Sequence, residues 1–268
     1  MRPLQMLFAG LLLGVGVASA SAQAPIVNAV VRHRPATTSV AREVQTIAQE
    51  GIPAWIGYKV PIVSSRGTQL RDTGNCCGRC RLEPATDLIV LARVADRELL
   101  ELRTEAVDCD IDAAGMPLFW IDGVKPEDSV AWLSSLIGGT SSRPSRFDER
   151  VLTAIALHAT PAAGPALVTF ARTGATATLK GRALFWLAQR AASEALPAIN
   201  RALDDDPDTQ VKKQAVFALS QMPKDEGIPR LIELARTHKN IEVRRQAMFW
   251  LGQSRDQRAV DFFASILK

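Results

Sequence analysis

The sequence is poor in the residues and motifs that usually announce an enzyme. Its 268 residues include three histidines (His33, His158 and His238), one tyrosine and four cysteines. No histidine stands in a nucleophile or metal-binding pattern, and there is no Gly-rich phosphate loop, G-x-S-x-G elbow or His/Glu metal pair. Paired catalytic carboxylates leave no signature that separates them from solvated ones, so these absences argue against catalysis only in part. Charge of one sign is not in excess either. A formal net charge of +4 is too small to argue for a nucleic-acid partner. The one long apolar stretch, Met6 to Ala18, is shorter than the roughly 20 residues that span a bilayer.

That stretch has a specific setting. Arg2 precedes it and the small residues "SASAQA" at 19–24 follow, which is the three-part pattern of a secretory signal peptide. Cleavage is expected after Ala22, because a cut after Ala24 would leave Pro25 at the new end. No cysteine follows the small residues, so a lipid anchor is not indicated. The expected product is an exported protein, periplasmic or secreted, with no stable membrane insertion after cleavage of residues 1–22.

Export gives the cysteines a meaning. Cys76, Cys77 and Cys80 form the cluster "NCCGRC" and Cys109 stands alone, and an oxidising compartment makes two disulfides the first expectation. Bonding the adjacent Cys76 and Cys77 would require a strained ring, so Cys109 is expected to pair with one member of the cluster. Cys77-Gly-Arg-Cys80 has the spacing of a redox dithiol, but "RDTGNC" precedes it where such chemistry wants a strand followed by a helix N-terminus. Four-cysteine zinc sites usually come as two separated pairs. "DCDIDAAG" at 108–115 resembles a calcium loop, yet Ala113 stands where the loop needs Gly and Phe119 where it needs Glu. No cofactor is expected.

Residues 25–137 mix signals: a helix over Ser39–Gln49, an extended "PAWIGYKVPIV" at 53–63, and β-prone runs at 88–95 and 98–107 that read better as a hairpin than as one helix. A strand at 116–123 and a helix over Pro126–Ile137 follow. The expectation is a small disulfide-stapled α+β domain, joined through "GGTSSRPSR" at 138–146 to whatever occupies 147–268.

The second half repeats itself. "VKKQAVFALSQMP" at 211–223 returns as "VRRQAMFWLGQSR" at 243–255, 32 residues later. The same step backwards reaches "LKGRALFWLAQR" at 179–190 and "FDERVLTAIALH" at 147–158. Pro165, Pro197 and Pro229 keep the period in the second half of each unit, with Asp261 in the last copy. Both halves have helical periodicity, and the prolines read as first-turn residues that mark helix starts. "DDDPDTQ" at 204–210 supplies acidic caps. A helical pair cannot bury its apolar stripe alone, so stacked copies are expected to share a continuous core.

Asp206-Pro207-Asp208, Val211-Lys212, Ala215 and Ala218-Leu219 stand where HEAT-like repeats of the phycobilisome-lyase type place D-P-D, V-R, A and A-L. The chain resembles that family over 147–268. The resemblance implies an α-solenoid of about four helical hairpins and a protein-binding surface, but no reaction, since the family includes chromophore lyases, enzyme subunits and plain binding scaffolds.

Two registered rows are candidates for partner contact. Lys212, Lys213, Arg244 and Arg245 sit at the starts of first helices, where cations oppose the helix dipole and need compensation, either from connector acids or from an acidic partner. Phe185, Phe217 and Phe249 lie far round the helical wheel from Leu187, so they are either packed between repeats or exposed, with Trp250 extending them. His158 and His238 fall at helix ends, where histidines serve as cap partners. The chain as a whole reads as a mainly α exported scaffold that binds another protein. The other reading is an N-terminal enzyme or thiol-redox module with the solenoid docking its protein substrate.

Overall fold

The computed structural model describes residues 26–63, 86–107, 109–139 and 146–267. The N-terminal part is an α+β unit around a five-stranded mixed sheet. Its strands are β2 (Val31–Pro35), β3 (Ala54–Pro61), β4 (Asp87–Ala95), β5 (Glu98–Ala106) and β7 (Leu118–Asp122), in the order β2-β7-β3-β4-β5. Two short strands, β1 (Ile26–Val27) and β6 (Ile111–Asp112), pair separately in parallel. β7 is the last strand in sequence but lies between β2 and β3, parallel to both. That arrangement requires β2 and β3 to be joined by a crossover, which α1 (Val40–Gln49) provides.

β4 and β5 form the expected hairpin. Asp96 and Arg97 both have positive φ, 51° and 65°, the geometry of a two-residue turn whose twist matches the flanking strands. Residues 54–58 and Val60 of β3 are buried, with Trp55 on one face of the sheet and Tyr58 on the other. Burial on both faces explains why the central strands read as continuous apolar runs rather than alternating ones. β1, β2 and β6 are too short to leave a periodic signal, and the sequence reading did not separate them.

Helix α2 (Pro126–Leu136) leads into the helical region. Pairs α3 (Phe147–Leu157) with α4 (Ala163–Thr173), α5 (Ala177–Arg190) with α6 (Ala192–Asp205), α7 (Thr209–Ser220) with α8 (Lys224–Thr237), and α9 (Ile241–Gln253) with α10 (Gln257–Ile266) follow the 32-residue period. Thr176, Asp208 and Asn240, one per repeat, cap α5, α7 and α9 through their side-chain oxygens. The prolines correct one expectation. Pro165 is the third residue of α4, but Pro197 and Pro229 lie inside α6 and α8, which begin five residues earlier. The carbonyls they leave without an intrahelical donor belong to the exposed Ser193 and Asp225, where water can serve them.

One apolar core runs from the sheet into the last helix. It joins Ile56, Tyr58 and Phe119 of the sheet to Val151 and Ile155 of α3 and onward to Leu251. Backbone bonds fasten the end of β3 to the α3–α4 connector: Val63 N–H donates to Leu157 O at 3.0 Å and Ala159 N–H to Pro61 O at 2.9 Å.

Candidate interaction surface

The first helices pack along a row, α3 on α5, α5 on α7 and α7 on α9. Gly181 sets the spacing between two of them, because a Cβ there would lie 2.7 Å from Cβ and Cγ of Gln214. With the helices this close, Phe185 stacks on Phe217 with ring centres 5.8 Å apart and planes within 4°. Trp250 then leans on Phe217 at 5.1 Å and meets Phe249 edge-on at 5.0 Å, while Trp186 meets Phe185 at 5.2 Å. Five rings on α5, α7 and α9 thus form a continuous ribbon. Four are half-buried and Phe249 is 53% exposed.

The two alternatives posed for the phenylalanine row are therefore both realised: the rings pack between repeats and still reach solvent. Trp186, which helical periodicity places on the face of Leu179, Ala183 and Leu187, also joins the ribbon, although the position between Trp186 and Trp250 in the 32-residue register holds Ala218. Trp250 crosses that gap by contacting Phe217 instead. At the far end of the ribbon, a position buried in earlier copies lies open. Leu184 and Val216 are 0% exposed, whereas Met248, in register with them, is 36% exposed.

The basic row divides in two. Lys212 is buried, and its ammonium donates to the carbonyls of Leu203 and Asp204 at the C-terminus of α6. Arg244 does the same one repeat later, with Nη1 donating to His238 O at 2.7 Å. The expected compensation thus comes mainly from the carbonyl end of the preceding helix, the negative end of its dipole. A connector acid compensates Lys180, which pairs with Asp206 at 2.7 Å. Burial opposes ionisation of Asp206, but the Lys180 hydrogen bond prevails and holds its pKa below the usual value. Lys213 is half-buried and Arg245 is exposed, and Arg245 pairs with Glu242 at 3.0 Å.

At the junction of sheet and helices, Tyr58 Oη lies 2.7 Å from Ser129 Oγ, which lies 2.7 Å from His158 Nε2. His158 Nδ1 is 2.6 Å from Ala154 O. A carbonyl only accepts, so Nδ1 carries the proton, Nε2 accepts from Ser129 O–H, and Ser129 accepts from Tyr58 O–H. Burial pushes the His158 pKa down to about 4, with Arg190 adding to the effect, and raises that of Tyr58. A Ser–His contact at this distance resembles a nucleophile and its base, but Ser129 and His158 are both 0% exposed, so no substrate reaches them. The network is a buried polar clamp. Arg190 of α5 strengthens it, donating to the carbonyls of Ala156 and His158. His238 acts as a cap partner, its Nδ1 accepting from Asn240 N–H at 3.1 Å.

Among the described residues no cluster of metal-ligating side chains occurs and no helix is long and apolar enough to cross a membrane. Cys109 is buried beyond β5. Cys76, Cys77 and Cys80 lie outside the described residues, as do residues 1–22 and most of the 138–146 joint.

The periodic stacking agrees with comparison to known families: residues 164–238 match the HEAT repeat family and residues 243–268 the PBS lyase HEAT-like repeat. The C-terminal region is built of HEAT repeats. No curated protein matches the chain. The HEAT match begins at the second residue of α4, so only α3 of the first pair lies outside it and is recognised by its period and its packing with α5.

Proposed function

We propose that this chain is an exported, non-catalytic scaffold that binds another protein through the exposed edge of its HEAT repeats. The observation that carries the reading is the aromatic ribbon on α5, α7 and α9. Half-exposed rings held in mutual contact offer a large, rigid apolar area whose ordering is complete before a partner arrives. Lys213 and Arg245 flank it. Lys212 and Arg244 are taken up by the carbonyl ends of α6 and α8. The pattern at residues 1–22 supports export, and export in turn supports a disulfide between Cys109 and the 76–80 cluster that braces the N-terminal sheet.

The test is a comparison of binding and folding in the same variants. Protein from the oxidising compartment is crosslinked to its neighbours with wild type, Phe249→Ser and Lys213→Glu. Loss of one crosslinked partner with unchanged melting supports the ribbon as the binding surface; an unchanged partner profile in both variants refutes it.

A further inference from the structure

The helical pairs differ along their second helices. Between α6 and α8 the space is filled by Arg230, whose Nε donates to Asn200 Oδ1 at 3.1 Å and whose Nη1 pairs with Glu233 at 2.6 Å. One 32-residue step earlier, between α4 and α6, those three positions hold Ala198, Val168 and Arg201. The filling side chain is cut back to a methyl group, and its hydrogen-bond acceptor is replaced by an isopropyl group. A cleft of about 330 Å³ is left open there. That size falls at the lower end of small-molecule sites, ~300–1,000 Å³, which are typically apolar with a few placed polar groups.

The cleft has that composition. Val168 and Ala171 of α4 and Pro197, Ala198 and Ala202 of α6 supply an apolar lining. Arg172 and Arg201 reach it from opposite helices, and neither guanidinium has a hydrogen bond or ion pair among the described residues. The other charges are placed differently. Lys180 is held by Asp206 at 2.7 Å. Glu194 lies over Gly164, near the start of α4, where a Cβ would come within 1.8 Å of its carboxylate. Asp205 is exposed near the C-terminus of α6.

We propose that this cleft binds a free monocarboxylate with an apolar body, of the class of medium-chain fatty acids. The apolar body lies against Val168, Ala171, Ala198 and Ala202, and the carboxylate bridges Arg172 and Arg201. A planar guanidinium fork matches a carboxylate in geometry as well as charge. An ammonium headgroup of equal size meets two unpaired cations. The site is on the second helices, away from the aromatic ribbon, so it stands independently of the scaffold reading.

Calorimetric titration of the full chain at neutral pH with octanoate, octanol and octylammonium tests it. Octanoate is expected to bind one to one, at least roughly tenfold tighter than octanol or octylammonium. Arg172→Gln and Arg201→Gln, both at exposed positions, are expected to weaken octanoate by a similar factor. Ala198→Phe, which fills the lining without adding a charge, is expected to abolish binding while cooperative melting persists. If that variant does not fold, Ala202→Leu fills the same lining and serves in its place. Octylammonium binding as tightly as octanoate, octanoate binding that survives the filling variant or both glutamine variants, or no octanoate binding to wild type, overturns the proposal.

Discussion

His158 is kept neutral inside the fold, donating from Nδ1 to Ala154 O and accepting at Nε2 from Ser129. Its folded pKa of about 4 lies below the ordinary histidine value of 6.5. The sign of the pH effect follows. Below pH 6.5 the unfolded chain takes up a proton that the folded chain refuses, so the stabilisation is complete above 6.5 and is lost as pH falls towards 4. The loss over that window is about 3 kcal/mol at about 1.4 kcal/mol per pH unit. Denaturant titrations at pH 7, 5.5 and 4.5 should show it, and His158→Gln should flatten the dependence. Carboxylates held below their usual range, such as Glu43 and Asp206, act in a more acidic window. Lys212 and its neighbour Lys213 provide a second residue-scale contrast. Lys212→Glu places a carboxylate against the carbonyls of Leu203 and Asp204 and should destabilise by more than ~2 kcal/mol. Lys213→Glu, half-buried and with no bond to a backbone carbonyl, should change stability by no more than ~0.5 kcal/mol. Equal melting temperatures for the two variants would contradict the assignment.

Packing of α5 against α7 depends on the absence of a side chain at Gly181. Gly181→Val forces Gln214 and its helix away and separates the stacked rings of Phe185 and Phe217, a small-to-large change expected to cost ~1–3 kcal/mol. The two ends of the ribbon should respond unequally. Phe217 is half-buried between Phe185 and Trp250, so Phe217→Ala should lose roughly half of the ~3–5 kcal/mol measured for fully buried rings. Phe249→Ala, at the exposed end, should lose well under ~1 kcal/mol. Thermal melts of the three variants rank them directly, and a Phe249→Ala loss matching that of Phe217→Ala would place the last ring in the core.

Continuity of the core makes the sheet and the repeats one mechanical object: Tyr58, Ser129 and His158 connect β3, α2 and the end of α3. Unfolding should therefore be a single transition. If the proposed disulfide joins Cys109 to the 76–80 cluster, reduction should lower the stability of that transition by ~2–4 kcal/mol, and an unchanged melting temperature with reductant would remove the staple. The same continuity explains the open far end. Each repeat is covered by the one that follows it, so Met248, whose counterparts Leu184 and Val216 are buried, lies open in the last copy.

The 32-residue period, the helical pairs, the acidic cap supplied by the 204–210 connector and the β4–β5 hairpin were all legible in the sequence. Each depends on interactions over a few residues or on a pattern repeated often enough to be seen. The insertion of β7 between β2 and β3 was not legible, because a parallel neighbour is chosen by the burial of both sheet faces and not by the residues of the strand itself. Nor were the contacts of Lys212, whose partner is a backbone carbonyl and carries no residue identity. The cleft beside Ala198 is the clearest case. Its residues are plain in the sequence, but whether an alanine there borders open space depends on how α4 and α6 pack around it. The sequence by itself determined which segments are helices and that they stack; the tertiary structure decided which rings reach solvent, which cations are buried and where the stack is left unfilled, since those depend on distances between helices that local preferences do not encode.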